Sequence, residues 1–278
     1  MKTNYHTHCN FCDGFGDPET IIKTAIDKGI DILGFSSHSP IEGEDWTLAA
    51  DEVPVYVQRI RELGEKYKES ILILAGMEMD FIATNSCWPI KSWGDQSLDY
   101  VIGSVHWLYS QKLDRLMSVD GPEKELSMLI DKGYDGNARQ MVEDYYHSIA
   151  LMITREHFDF LGHLDVVKKR NKALGFLNEK EDWYLKKVIS VLELLRKKEV
   201  PLEINTGGIS RGATEDLYPS QPILRECCKR NIPILINSDS HNPDHLDSHF
   251  EMARDAAMDA GYREQMILDL DGWKSIPL

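Results

Sequence analysis

The run Ile71-Leu72-Ile73-Leu74-Ala75-Gly76-Met77-Glu78-Met79-Asp80 is apolar at almost every position until it ends in polar residues. Such a run leaves no solvated face, so it predicts a strand buried on both sides. Five more stretches share its character: Asp31–His38, Tyr100–His106, Phe158–Asp165, Val200–Gly207 and Ile232–Asp239, with Thr3–His8 a shorter seventh. Gly, Pro, Asp and Asn bound them, as expected of strands. Between them lie segments with apolar residues three and four apart: Val53–Tyr67, Ala138–Arg155, Glu179–Lys198, Pro222–Lys229 and His249–Ala260. One further helix opens at Asp17-Pro18-Glu19, with a cap, a first-turn proline and an acid for the dipole, and closes at Lys28-Gly29. Seven strand–helix alternations predict a single α/β domain over residues 1–278, its parallel sheet closed into a (β/α) barrel. A doubly wound open sheet fits the same periodicity. Tyr109–Gly136, with weak strand character, is expected to cross the barrel mouth.

The chain has 278 residues, 42% hydrophobic and 28% charged, with a formal net charge of −15. That balance argues against nucleic-acid or anionic-membrane partners, which call for Lys/Arg excess. It leaves room for a small anionic substrate, because bound metal ions reverse the field locally. No window is apolar enough to span a bilayer, and the start, Met1-Lys2-Thr3-Asn4-Tyr5, lacks the apolar core of a secretory signal. The cysteines are Cys9, Cys12, Cys87, Cys227 and Cys228. An odd, irregular set of this kind suits free thiols and a cytoplasmic location. Cys9 and Cys12 form a lone CxxC without the second pair of a zinc knuckle, so they read as ordinary thiols.

The chemistry gathers at the strand ends. Of the 10 histidines, His6 and His8 follow the first candidate strand, His38 the second, His106 the fourth, and His241 the last, while His163 lies on the fifth. Glu78 follows the third and Asp239 ends the last. In a parallel barrel those ends meet on one face, where active sites form. His6 and His8 stand two apart, so an extended backbone aims both the same way, and Asp239 and His241 repeat the spacing. Imidazole with carboxylate suits zinc, iron or manganese rather than calcium or magnesium. Singly, each residue has an ordinary reading: a satisfied core histidine at 163, a strand-ending cap at 239. One metal cluster explains them together. His147, His157, His245 and His249 fall on helical segments or polar loops and read as surface residues. The acidic run Glu42-Gly43-Glu44-Asp45 reads as a solvated loop. Trp88, Trp93 and Trp107 lie near strand ends, where one of them can wall a pocket.

The ordered set HTHCNFCDG, FSSHSP, GMEMD, GSVH, GHLD, EINT and NSDSH resembles the polymerase-and-histidinol-phosphatase (PHP) family, in its histidinol-phosphate phosphatase branch, and spans His6 to His241. The resemblance implies a distorted (β/α)7 barrel with two to three divalent metals, zinc, iron or manganese, at the C-terminal strand ends. It implies that His6, His8, Glu78 and Asp239 hold one ion. Glu78 then bridges to a second ion with His106 and His163, and His38 and His241 hold a third, with Asp13 where many members place a histidine. Asn4 stands where many members place an acid. Glu78, Asp239 and His241 are the candidates for catalytic roles beyond ligation, and Arg211, Asn205 and Asp17 for contacts to substrate. Three divalent ions bring about +6 against −3 from Asp13, Glu78 and Asp239, a surplus that favours a phosphate dianion.

The expected activity is hydrolysis of L-histidinol phosphate, a step of histidine biosynthesis, by attack of metal-bound hydroxide. A PHP-type diesterase or exonuclease is the first rival, and an amidohydrolase, whose barrels also open on HxH, the second. A non-catalytic metal-binding regulatory module is the third; such a module is expected to lack ligands, whereas every family position here carries a competent residue.

Overall fold

The computed structural model describes residues 1–84 and 98–278, so Cys87, Trp88 and Trp93 lie outside the described residues. Eleven strands appear among them: β1 (Thr3–Asn4), β2 (Ile32–Phe35), β3 (Leu72–Asp80), β4 (Tyr100–Ser104), β5 (Trp107–Ser110), β6 (Arg115–Ser118), β7 (Phe160–Leu161), β8 (Leu202–Asn205), β9 (Ile234–Asn237), β10 (Glu264–Asp269) and β11 (Gly272–Pro277). Helices α1 (Pro18–Asp27), α2 (Val53–Tyr67), α3 (Glu123–Met128), α4 (Ala138–Arg155), α5 (Asn171–Leu174), α6 (Asp182–Lys198), α7 (Gly207–Ser210), α8 (Gln221–Lys229) and α9 (Phe250–Ala260) lie between them. None is long and apolar enough to cross a membrane.

The seven-stranded sheet runs β1-β2-β3-β4-β7-β8-β9, parallel throughout, which selects the barrel over the open doubly wound sheet. Its first and last strands close just beyond their ends, where Thr7 bridges Ser240 and His8 N donates to Ser240 O at 2.8 Å. Lower down, side chains span the gap: Tyr5 N donates to Asn237 Oδ1 at 2.8 Å and Asn4 Nδ2 to Ser238 Oγ at 2.8 Å. This side-chain seam is the distortion of the barrel.

Large rings fill the interior. Tyr100 lies against Gly34 of β2 and Gly76 of β3, where a Cβ would meet its hydroxyl or its ring at 2.3 Å, so both strands need glycine there. Its hydroxyl donates to Tyr5 O and Phe35 O. The β10–β11 hairpin plugs the floor through Leu268 and Trp273, with Tyr5 Oη donating to Leu268 O at 3.0 Å. Outside the sheet, α4 and α6 cover one side, while Val53, Tyr56, Val57, Ile60 and Leu63 of α2 cover another at helical spacing. The Asp17 side chain accepts from Glu19 N and Thr20 N, and Pro18 opens α1 as the sequence predicts.

Tyr109–Gly136 does cross the mouth, but with more order than expected. β5 and β6 form an antiparallel ribbon whose turn holds Asp114 at φ 49°, and α3 follows. Leu108 and Met117 enter the core while Arg115 and Leu116 both face the cavity, so the ribbon shows no simple alternation and does not stand out in the sequence.

Candidate metal centre

β3 carries the centre of the site. Its pairing with β4 and the bridge from His38 to Glu78 extend the sheet past the strand ends, so ligating side chains leave a hydrogen-bonded frame. Glu78 is fully buried. Its Oε2 lies 3.2 Å from His6 Nε2, 3.5 Å from His8 Nε2 and 3.0 Å from His38 Nδ1. Its Oε1 lies 2.9 Å from His163 Nε2 and 3.5 Å from His106 Nε2, and accepts from Ser104 Oγ at 2.7 Å. Asp239 Oδ1 completes the first group, 3.4 Å from His8 Nε2 and 3.8 Å from His6 Nε2.

Ligand atoms held about 2.0–2.1 Å from one tetrahedral ion stand roughly 3.3 Å apart, and the spacings above straddle that value. His6 Nε2, His8 Nε2, His38 Nδ1 and Glu78 Oε2 are buried without a hydrogen-bond partner. Buried lone pairs that face one another are costly unless a cation lies between them. The donor set therefore fits metal ions. His8, Asp13, His38 and His241 form another group, with Asp13 Oδ2 3.2 Å from His241 Nε2 and Oδ1 3.8 Å from His38 Nε2. His38, Asp80 and His106 also converge. Asp80 meets His106 at Nδ1, 2.6 Å away, opposite the Nε2 that faces Glu78, so it orients that imidazole from behind.

The sequence reading missed two carboxylates of this kind. Asp80 is one. The other is Glu203 on β8, whose Oε1 lies 2.7 Å from His6 Nδ1 and whose Oε2 accepts from His163 N at 2.9 Å. Glu203 supplies the acid that Asn4 does not. Both sit inside apolar strands, where a carboxylate must be paired, and Asp80 shares the face of Glu78 at strand period. That was the available signal.

The three candidate substrate contacts have partners of their own. Asn205 is completely buried, donates to Glu203 Oε2 at 2.9 Å and does not line the cavity. Asp17 is absorbed in capping α1, its Oδ2 accepting from Thr20 Oγ1 at 2.6 Å, and it does not line the cavity. Arg211 does line the cavity, but it is bound to a candidate ligand: Nη2 donates to Asp239 Oδ2 at 2.8 Å and Nη1 to Asp239 O at 2.6 Å. Asp239 itself is not extended; at φ 48° the chain turns, which sends His241 to a different group from its neighbour. Gly207 permits this approach, since a Cβ there would meet Asp239 Oδ2 at 2.9 Å.

His147, His157 and His249 are exposed and His245 half-buried, all outside the clusters. Cys12 Sγ lies 3.5 Å from His8 Nδ1, and burial with nearby Cys9 and Asp13 pushes its thiol up to about 12, so it stays protonated. The acidic loop is not fully solvated: Glu42, Glu44 and Trp46 line the cavity with Trp107.

Charges in the cluster polarise one another. Burial opposes charge on Glu78, yet His6, His38 and His106 hold it well below the usual carboxylate range. Burial also opposes charge on His106, yet Asp80 and Glu78 raise it to about 10. Burial, with His241 and His38, pushes His8 down to about 3, leaving a neutral ligand. A cation joining Glu78, His106 and His163 must then displace the His106 proton at any pH below about 10. Because protons compete for that nitrogen, apparent metal affinity there is expected to rise roughly tenfold per unit between about pH 6 and 9. Chelator competition, corrected for the chelator's own protonation, measures this; a flat profile would show that His106 is already neutral across the range.

Comparison with known proteins comes to the same place. The family profile described as PHP domain matches residues 4–207. Over 262 residues the chain is 26% identical to the "Probable histidinol-phosphatase" of Deinococcus radiodurans, covering 93% of each. A crystal structure of histidinol phosphate phosphatase from Lactococcus lactis, complexed with zinc, L-histidinol and phosphate, matches with a TM-score of 0.74 at 26% identity, covering 95% of each chain. A Listeria monocytogenes structure matches with a TM-score of 0.81 at 21% identity over 90% of this chain and 99% of that one, a likeness of fold.

Proposed function

The chain belongs to the PHP domain family, and from that premise we propose that it is a metal-dependent phosphomonoesterase that hydrolyses L-histidinol phosphate to L-histidinol and phosphate. The observation that carries this reading is Glu78, with each carboxylate oxygen set against its own set of imidazoles. In this reading His6, His8, Glu78 and Asp239 hold one divalent ion, Glu78, His106 and His163 a second, and Asp13, His38 and His241 a third. The set of imidazoles and carboxylates suits zinc, iron or manganese. When bound, the ions supply Lewis-acid charge and lower the pKa of water to near neutrality.

The chain's own residues do the positioning. Glu203 and Asp80 fix the ring orientations of His6 and His106, and Arg211 holds the second oxygen of Asp239. Arg115, Lys124, Lys169 and Arg170 line the cavity beside Arg211, together with the carboxylates of Glu42, Glu44, Asp120 and Glu125, so the positive surplus of the site rests on bound ions. Lys169 is paired with Asp120 at 2.7 Å. Those bound ions favour a dianion over a monoanion.

Monoesters are therefore expected to be preferred over diesters by at least about a hundredfold in kcat/KM, roughly 2.7 kcal/mol of transition-state free energy. Steady-state rates on L-histidinol phosphate, an aryl phosphate and an aryl diester, with metal content measured in the same preparation, test this. Equal or faster diester hydrolysis would favour the diesterase rival.

A further inference from the structure

The candidate metal ligands line only part of a cavity of about 990 Å³. One wall rises directly from them. Trp46 stands edge-on to His38, ring centroids 4.8 Å apart at 82°, and stacks on Trp107 at 5.9 Å and 24°. Leu116 and Met128 line the same chamber. The two indoles differ in one respect. Trp46 Nε1 donates to Glu44 Oε2 at 2.8 Å, whereas Trp107 Nε1, in a residue 7% exposed, has no hydrogen-bond partner. A buried donor left unmade is a standing penalty that a ligand acceptor relieves.

We propose that the Trp46–Trp107 wall is the subsite for the imidazole ring of the phosphorylated substrate, with Trp107 Nε1 donating to the ring's unprotonated nitrogen and the Glu44 carboxylate accepting from its N–H. This rests on the L-histidinol phosphate reading and adds the residues that read its organic end. The chemistry selects the ring over the substrate's amine. An ammonium has only donors and cannot satisfy an indole N–H, while a neutral imidazole presents one donor and one acceptor. A flat ring also packs well on an aromatic wall. Glu44 is held in place by Trp46, so acceptor and donor are fixed on one wall. The wall abuts His38, a candidate metal ligand, so a ring seated on it would lie beside the residues that would hold the ions and the phosphate.

The test compares kcat/KM for L-histidinol phosphate with that for ethanolamine phosphate, which keeps the amine and the phosphate but lacks the ring. Trp107→Phe preserves an aromatic side chain and removes the N–H; Glu44→Gln preserves shape and removes the charge. Both variants are checked for metal content. The wild-type ratio is expected to exceed one hundred, and each variant to lower it about tenfold. If Trp107→Phe slows both substrates equally, the indole serves the phosphate or the fold and the subsite is refuted. A ratio unchanged in both variants refutes it as well, while the substrate reading stands. A wild-type ratio near one overturns the L-histidinol phosphate reading itself.

Discussion

Glu78→Gln is expected to reduce kcat/KM by at least about a thousandfold, about 4 kcal/mol, and to lower bound metal by at least one ion per chain. The side chain is only 1% exposed and contacts His6, His8 and His38 through one oxygen and His106 and His163 through the other. Glutamine has the same shape, so the fold should survive. Its effect is electronic. Ser104 Oγ donates to Oε1 at 2.7 Å and would select the amide oxygen for that position. The amide NH2 would then face His6 and His8 Nε2 and donate to lone pairs that otherwise bind a cation. Two ions that share a carboxylate would also lose the negative charge between them. Metal analysis with turnover decides the matter: both ions retained at a near-normal rate would rule out a bridging Glu78.

The barrel was legible because its strands are buried on both faces. That forces long apolar runs, and all seven appear in the sheet. Their ends were overestimated where backbone pairing stops early: Phe158–Asp165 contributes only Phe160–Leu161, and His163 lies beyond the strand. The β10–β11 hairpin escaped notice for the opposite reason. Its apolar residues do not alternate: Ile267 and Leu268 are buried side by side, while Glu264, Lys274 and Ser275 are exposed. A brief two-stranded ribbon of that kind resembles a polar tail.

In the site, residues that face the metals were readable and those behind them were not. Histidines at strand ends have no packing reason to recur, so they stood out together, and the structure gathers all of them. Glu203 and Asp80 were hidden inside strand runs, where a carboxylate reads as a polar terminus until its imidazole partner is known. Glu44 and Trp46 were hidden by acidity, since the loop Glu42–Asp45 looks solvated although part of it faces the cavity. Asn205 and Asp17 went the other way. Each lies near a motif, but Glu203 and Gly207 claim the first, and the start of α1 claims the second. Proximity in sequence to a site says little about where a short polar side chain finds its partner.

Arg211 carries the other large expectation, altered by what it touches. As a loop arginine it could have paired with Glu215 or Asp216; instead Glu215 pairs with Lys172, and Arg211 grips both the backbone and the carboxylate of Asp239. Asp239 sits in the left-handed region at φ 48°, a conformation that persists only where surrounding contacts enforce it. Arg211→Ala removes two such contacts and leaves Asp239 Oδ2 without its cation. Metal affinity is therefore expected to fall roughly ten- to a hundredfold, as for loss of a group that orients a ligand. Catalytic efficiency should fall by a similar factor, because a charge-assisted bond contributes about 1.5–3 kcal/mol. Lysine should restore only part, since it lacks the planar fork that reaches two acceptors at once. Excess metal separates two roles for the residue. If Arg211 serves Asp239 alone, saturating metal restores the alanine variant's rate and its inhibition by inorganic phosphate. Because Arg211 also lines the cavity, the expected result is that phosphate inhibition stays weaker at saturating metal. Full recovery would confine the arginine to holding Asp239, and unchanged metal affinity would show that the Asp239 contact does not support ligation.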